Sequence, residues 1–146
     1  MYPLPSDPGT AVSRHVLYCD GASRGNPGPA AIGFVLYDPQ GQAVVELGGY
    51  IGETTNNVAE YRALISGLET ALRRRVASIG VKLDSMLLVK QVTGEYRVKA
   101  THLKPLQRLA VKLLAKFDEA SIEHVPRQRN TVADALANEA LDEAGL

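Results

Sequence analysis

The chain has one cysteine, Cys19, no tryptophan, and no net charge, its 16 Lys and Arg balancing its 16 Asp and Glu. One cysteine excludes an internal disulfide framework and a cysteine zinc cluster, and it fits a reducing compartment. No stretch approaches the roughly 20 apolar residues of a membrane-spanning helix, which excludes that class. Zero net charge argues against an indiscriminate polyanion binder. The opening MYPLPSDPGTAVSR has three prolines but neither a basic nor an apolar segment, so residues 1–13 read as a disordered leader and not a signal peptide. Nothing directs export, and the cytoplasm is the default. No long apolar surface stripe demands a partner, so the default assembly is a monomer.

What is present is an ordinary globular composition, 45% hydrophobic and 22% charged over 146 residues. That length fits a single domain, residues 14–146, able to bury about two thirds of its unfolded surface. The charge is unevenly spread. Residues 62–116 hold twelve basic and three acidic side chains, a net of +9, between acidic flanks. A basic middle suits a protein that grips phosphates in one region and uses its acids elsewhere, although solvated helix faces explain any single lysine as well.

Alternation from His15 to Asp20, with Val16, Tyr18 and Asp20 on one side, predicts a strand ending at Asp20. GASRGNPGP reads as a turn, and AAIGFVLYD and QAVVELGGYI as a hairpin around Pro39-Gln40-Gly41. A helix over VAEYRALISGLETALRRR is predicted, N-capped by Asn57, with Ala63, Leu64, Gly67, Leu68 and Ala71 along one stripe. VKLD then reads as a strand, SMLLVKQV as a short helix opened by Ser85, LKPLQRLAVKLLAKFDEA as a helix, SIEHV as a strand and NTVADALANEALDEA as a last helix. A meander followed by alternating strands and helices implies an α/β domain with a mixed sheet.

Four acids sit where apolar residues are expected. Glu60 shares the helical face of Leu64, Gly67 and Leu68. Asp20 and Asp84 end apolar strands, and Asp134 edges the Ala133, Leu136, Ala137 stripe of the last helix. A buried carboxylate is paired, protonated or bound to a metal, and a structural salt bridge is the plain alternative for any one of them. If the strands ending at Asp20 and Asp84 are neighbours, all four acids reach one end of the sheet. Two unit charges 4 Å apart then repel by ~4 kcal/mol at an effective dielectric near 20, and a cation resolves this. Oxygen-only ligands favour Mg²⁺ or Mn²⁺ over zinc, and such a cluster beside a basic surface points to two-metal phosphodiester hydrolysis.

These residues resemble the type 1 ribonuclease H family, over Arg14 to Leu141. YCDGASRGNPGPAAIGF resembles its first-strand motif, TTNNVAEYRALISGLETAL its first helix, VKLDSMLLVKQV its third acid and HVPRQRNTVADALANEAL its last strand and helix. The resemblance implies a ribonuclease H-like fold: a mixed five-stranded sheet, three antiparallel strands then two parallel, flanked by helices. It implies an endonuclease that cuts the RNA strand of RNA/DNA hybrids with two Mg²⁺ or Mn²⁺ ions, leaving 5′-phosphate and 3′-hydroxyl ends. Asp20, Glu60, Asp84 and Asp134 match the catalytic, metal-binding carboxylates. Gly21 and Asn26, with Asn56 and Asn57, match residues that approach the RNA sugars and minor groove, and Thr55 a contact to a DNA phosphate. Helix capping by Asn56 or Asn57 and plain turn chemistry at Asn26 account for the same residue types.

Three features depart from the family pattern. The loop before Asp134 reads Pro126-Arg127-Gln128-Arg129-Asn130, without the histidine that many members carry. His124, in the preceding strand, reads as a core or edge residue. Arg127 or Arg129 can meet a phosphate, but neither can shuttle protons near neutral pH. Met86 stands where a polar substrate contact is usual. TGEYRVKATHLK replaces a long tryptophan-bearing basic protrusion, leaving Tyr96, Arg97 and Lys99 either to grip the DNA strand or to form a plain connection. Two other readings stay open: a hybrid-binding module without chemistry, and a related DNA nuclease.

Overall fold

Leu17 and Cys19 are buried on one side of the first strand and Tyr18 on the other, and the layers of the fold follow from that alternation. The computed structural model describes residues 14–145, so the expected leader at 1–13 lies outside the described residues. Strands β1 (His15–Ser23), β2 (Gly28–Tyr37) and β3 (Ala43–Thr54) form an antiparallel meander. β4 (Ser78–Leu83) and β5 (Glu119–His124) join it in parallel, giving the order β3-β2-β1-β4-β5. This is the expected mixed five-stranded sheet.

Helix α1 (Asn56–Arg73) lays Leu64, Leu68 and Ala71 on the Leu17, Cys19 and Phe34 side. α2 (Met86–Val92) and α3 (Lys104–Leu114) complete that core with Leu88, Val92, Ala110 and Leu113. α4 (Thr131–Glu143) covers the opposite face, where Ala133 packs with Tyr18, Val35 and Tyr37. It lies so close that a Cβ on Gly33 of β2 would stand 2.1 Å from the Ala133 carbonyl. Sheet and α4 therefore meet backbone to backbone, which fixes the depth at which Asp134 sits.

Several boundaries differ from expectation. Asp20 does not end its strand: β1 continues to Ser23 along β2, where Asp20 pairs with Gly33, while the β4 ladder stops at Cys19 opposite Leu83. The turn contracts to residues 24–27. The α1 N-cap is Thr55, not Asn57; its extended backbone turns the chain into the helix and its Oγ1 accepts from Val58 N at 3.3 Å. α3 stops at Leu114 because Glu119 and Ala120 pair with Ser78 and Ile79 of β4, and strand pairing there overrides the helical pattern. β5 is the sheet edge and largely exposed; of the two placements expected for His124, core or edge, it takes the edge, and Val125, just beyond the strand, is the buried residue. Lys82 is buried on β4 and pairs with Glu123, its register partner on β5. Ser85 caps α2 as expected, accepting from Leu88 N at 3.2 Å.

Candidate active site

The point where β4 parts from β1 creates the site. Past Cys19, β1 has a neighbour on one side only, so Asp20 and the chain leaving β4 at Asp84 stand at the mouth of the gap. Glu60 enters from the first turns of α1, brought in by the close crossing of α1 over Gly21. Asp20, Glu60 and Asp84 each offer a carboxylate oxygen, all within 4.8 Å of one another. Asp134, in the first turn of α4, joins from the other face through a hydrogen bond shared with the Asp20 carboxyl. The four acids predicted from sequence thus converge, three as a tight cluster and the fourth through Asp20.

Their electrostatics record the crowding. Asp20 is only 8% exposed. Burial first, then the Asp84 charge, the shared hydrogen bond with Asp134 and the charges of Glu60 and Asp134 push its carboxyl up to about 9. Burial likewise raises Glu60 to about 7; a hydrogen bond from the Ser85 hydroxyl opposes the shift, the Asp84 charge adds to it, and the Arg127 guanidinium opposes it. Without a cation, therefore, the cluster holds protons near neutral pH. All the converging donors are carboxylate oxygens, a set that suits a hard divalent cation.

Asn130 is the connector that sequence reading missed. It is 1% exposed, and its Nδ2 donates to the Cys19 carbonyl at 2.8 Å and to Asp84 Oδ2 at 3.3 Å. Its backbone carbonyl accepts from Asp134 N at 3.2 Å. The side-chain amide therefore ties the Asp20 and Asp84 segments together, and the backbone of the same residue joins them to the start of α4. The sequence shows only an ordinary helix-capping residue type four positions before Asp134, and its side chain makes no capping bond here.

The expected substrate-facing residues divide. Gly21 is buried against the Ala59 and Glu60 backbone, which gives it a packing role. Asn26 is exposed in the turn, and its Oδ1 accepts from Asn56 N at 3.0 Å, so the turn is pinned to the start of α1. Asn57 lines a groove with Leu87, Gln91, Tyr96, Arg97 and Lys99. Lys90 lies 5.2 Å from the centre of the Tyr96 ring. Arg127 is exposed in the short helical turn Arg127–Arg129, and Met86 is 47% exposed beside Asp84 and Ser85.

A family profile described as reverse transcriptase-like matches residues 18–140. The chain is 52% identical over 127 residues to "Ribonuclease HI" of Halobacterium salinarum, covering 87% of this chain. The crystal structure of RNase H1 from that archaeon superposes with a TM-score of 0.87 at 51% identity, covering 89% of this chain and 98% of the other. The chain belongs to the type 1 ribonuclease H family. Within this ribonuclease H family it is also 45% identical over 88% of its length to a bifunctional protein of Mycobacterium tuberculosis. LC11-RNase H1, solved in complex with an RNA/DNA hybrid, matches with a TM-score of 0.84 at 41% identity, over 91% of this chain and all of the other. The chain spans 64% of the length of the Halobacterium relative and 36% of the mycobacterial one.

Proposed function

We propose that the chain is an endonuclease that hydrolyses the RNA strand of RNA/DNA hybrids, acting as a cytoplasmic monomer, with Asp20, Glu60, Asp84 and Asp134 as its catalytic groups. The convergence of three carboxylates within 4.8 Å, on a fold shared with ribonucleases H, carries this reading. Among the described residues no helix is long and apolar enough to cross a membrane. The hybrid bound by LC11-RNase H1 supports the substrate class.

The four carboxylates would hold two Mg²⁺ ions, with Mn²⁺ as a substitute. When bound, such ions supply Lewis acidity to the attacking water and to the scissile phosphate. The chain's own groups do the rest. Ser85 and Asn130 hold Glu60 and Asp84 in place. Asn26, with its Oδ1 engaged by the backbone, turns its amide hydrogens to the minor-groove edge and 2′-hydroxyls, and Asn56 and Asn57 extend that surface. The Thr55 hydroxyl, while capping α1, retains its hydrogen for a DNA phosphate. Arg127 meets the backbone charge near Glu60, and Tyr96, Arg97 and Lys99 grip the DNA strand along the Asn57 groove. The products carry 5′-phosphate and 3′-hydroxyl ends.

The deciding experiment is cleavage of a labelled RNA strand, alone or paired with DNA or RNA, in Mg²⁺, Mn²⁺ or EDTA. Metal-dependent cutting of RNA only within the hybrid is expected. Hybrid binding without cutting under either metal would leave a binding module, and cleavage of duplex DNA would place the chain among DNA nucleases.

Two substitutions probe the periphery. Asn26→Asp keeps the oxygen that accepts from Asn56 N but removes the amide donors. It is expected to preserve the melting temperature and raise KM about tenfold, the scale of one lost hydrogen bond to substrate; an unchanged KM would remove Asn26 from the substrate surface. Arg127→Ala is expected to lower kcat by about tenfold or less, well short of an aspartate substitution. Loss as complete as that of an aspartate variant would make Arg127 a principal catalytic group.

A further inference from the structure

Asp134, Asn138 and Asp142 stand at i, i+4 and i+8 of α4 and share one face of the helix. Asn138 Nδ2 donates to the Asp134 carbonyl at 3.0 Å and to Asp134 Oδ1 at 3.2 Å. One turn further on, the Arg24 guanidinium donates to Asp142 Oδ1 at 2.6 Å and to the Asn138 carbonyl at 3.4 Å. Arg24 opens the turn carrying Asn26, and Asn26 accepts from Asn56 N. A hydrogen-bonded path therefore runs from the start of α1, through the turn, along α4 to the Asp134 carboxylate.

Helix stability accounts for neither polar residue on this path. Asn is a poor former of helix interiors. An acid in the last turn opposes the helix dipole, and α4 has no basic residue there. Nor does the ion pair hold the fold together: the Arg24 and Asp142 side chains are 37% and 67% exposed, and pairs of that kind contribute little to stability. What the path does provide is geometry, because the Asp142 that holds Arg24 and the Asp134 carboxylate both belong to α4, which meets the sheet backbone to backbone.

We propose that Arg24, Asn138 and Asp142 are positioning residues: Asn138 holds one oxygen of Asp134, and the Arg24–Asp142 pair clamps the Asn26 turn to the same helix. The clamp and the carboxylate are thereby set by one rigid element, so that the turn delivers RNA in register with the acids. This rests on the function proposed above.

The test compares Asn138→Ala, Arg24→Ala, Asp142→Ala, the double variant Arg24→Ala/Asp142→Ala and the charge exchange Arg24→Asp/Asp142→Arg. It reads kcat and KM on the hybrid and, separately, Mn²⁺ affinity of the free protein from thermal-shift titration. Asn138→Ala is expected to weaken Mn²⁺ binding and lower kcat by about threefold to tenfold with KM unchanged, the scale of one lost hydrogen bond. Arg24→Ala and Asp142→Ala are each expected to raise KM with kcat and Mn²⁺ affinity unchanged. Their double variant should match either single one, as coupled residues do, and the exchange should recover part of the loss. Unchanged Mn²⁺ affinity and kcat in Asn138→Ala, or additive KM effects at Arg24 and Asp142, would overturn the proposal. Asp134→Asn is run alongside: if it cuts and binds Mn²⁺ like the parent, the proposed function fails; if it alone is inactive while Asn138→Ala behaves as the parent, only the positioning role fails.

Discussion

Asp20→Asn is expected to abolish hybrid cleavage, by about a thousandfold or more, the scale for losing a group that acts in the transition state. The same change is expected to raise the melting temperature in EDTA. Both effects share one cause. Asp20 is enclosed among three other acids, and its carboxyl is pushed from an ordinary 3.8 to about 9. A folded state that holds a proton more tightly than the unfolded chain loses stability as pH rises from the lower value to the higher. The metal-free parent should therefore melt at progressively lower temperature between pH 4 and 9. Glu60 adds its share between 4.5 and about 7. Asparagine carries no charge at any of these pH values, so the variant lacks the Asp20 part of the decline, and its advantage over the parent grows with pH. Mg²⁺, binding only the folded form, should raise the parent's melting temperature more than the variant's. A variant with full turnover would remove Asp20 from catalysis. A variant melting below the parent in EDTA at pH 9 would show that crowding of the acids is not what strains the site.

The four acids were legible because each breaks a local pattern. A carboxylate on the apolar face of α1, or at the inner edge of α4, contradicts the burial around it, and that contradiction survives without any knowledge of the fold. The mixed sheet of three antiparallel and two parallel strands was legible through the resemblance, and the helices through their periodicity; the strand order was not. What was not legible depends on which backbone lies beside which. Asp20 looked like a strand end because a glycine-rich stretch follows it, yet pairing with β2 carries β1 on to Ser23. Thr55 rather than Asn57 caps α1, a choice decided by where the extended chain leaves β3. The α3 pattern ran on to Ala120 until strand pairing with β4 claimed its end. Asn130 and Arg24 have no signature in one dimension, since their partners lie on β1 and on the far end of α4; Asn138 differs, standing four residues after Asp134 on the predicted last helix, a spacing the sequence itself shows.

Gly21 separates these two kinds of information most sharply. From sequence it belongs to a glycine-rich turn that lets RNA sugars approach. In the structure it lies within β1, and a Cβ there would stand 2.3 Å from the Ala59 carbonyl carbon and 2.4 Å from Glu60 N. Both are backbone atoms of α1, so no side chain can turn aside; the helix itself must move. It cannot move freely, because Leu64 and Leu68 are fully buried and Gly67 already packs on Leu17 and Cys19. Gly21→Ala is therefore expected to destabilise the protein by about 2–4 kcal/mol, toward the upper end for overpacking a core. Whatever relaxation occurs displaces Glu60, and a misplacement of about 1 Å costs on the order of a hundredfold in kcat/KM. Gly49→Ala is the matched control, since its Cβ would meet nothing closer than 3.8 Å, and it should leave both quantities near the parent's. The two roles for Gly21 differ in one measurement that needs no nucleic acid. If the residue serves only the approach of RNA, Gly21→Ala raises KM and leaves Mn²⁺ affinity intact. If it sets how closely α1 crosses the sheet, Mn²⁺ affinity of the free protein falls as well, because the carboxylate displaced is one of the cluster's own.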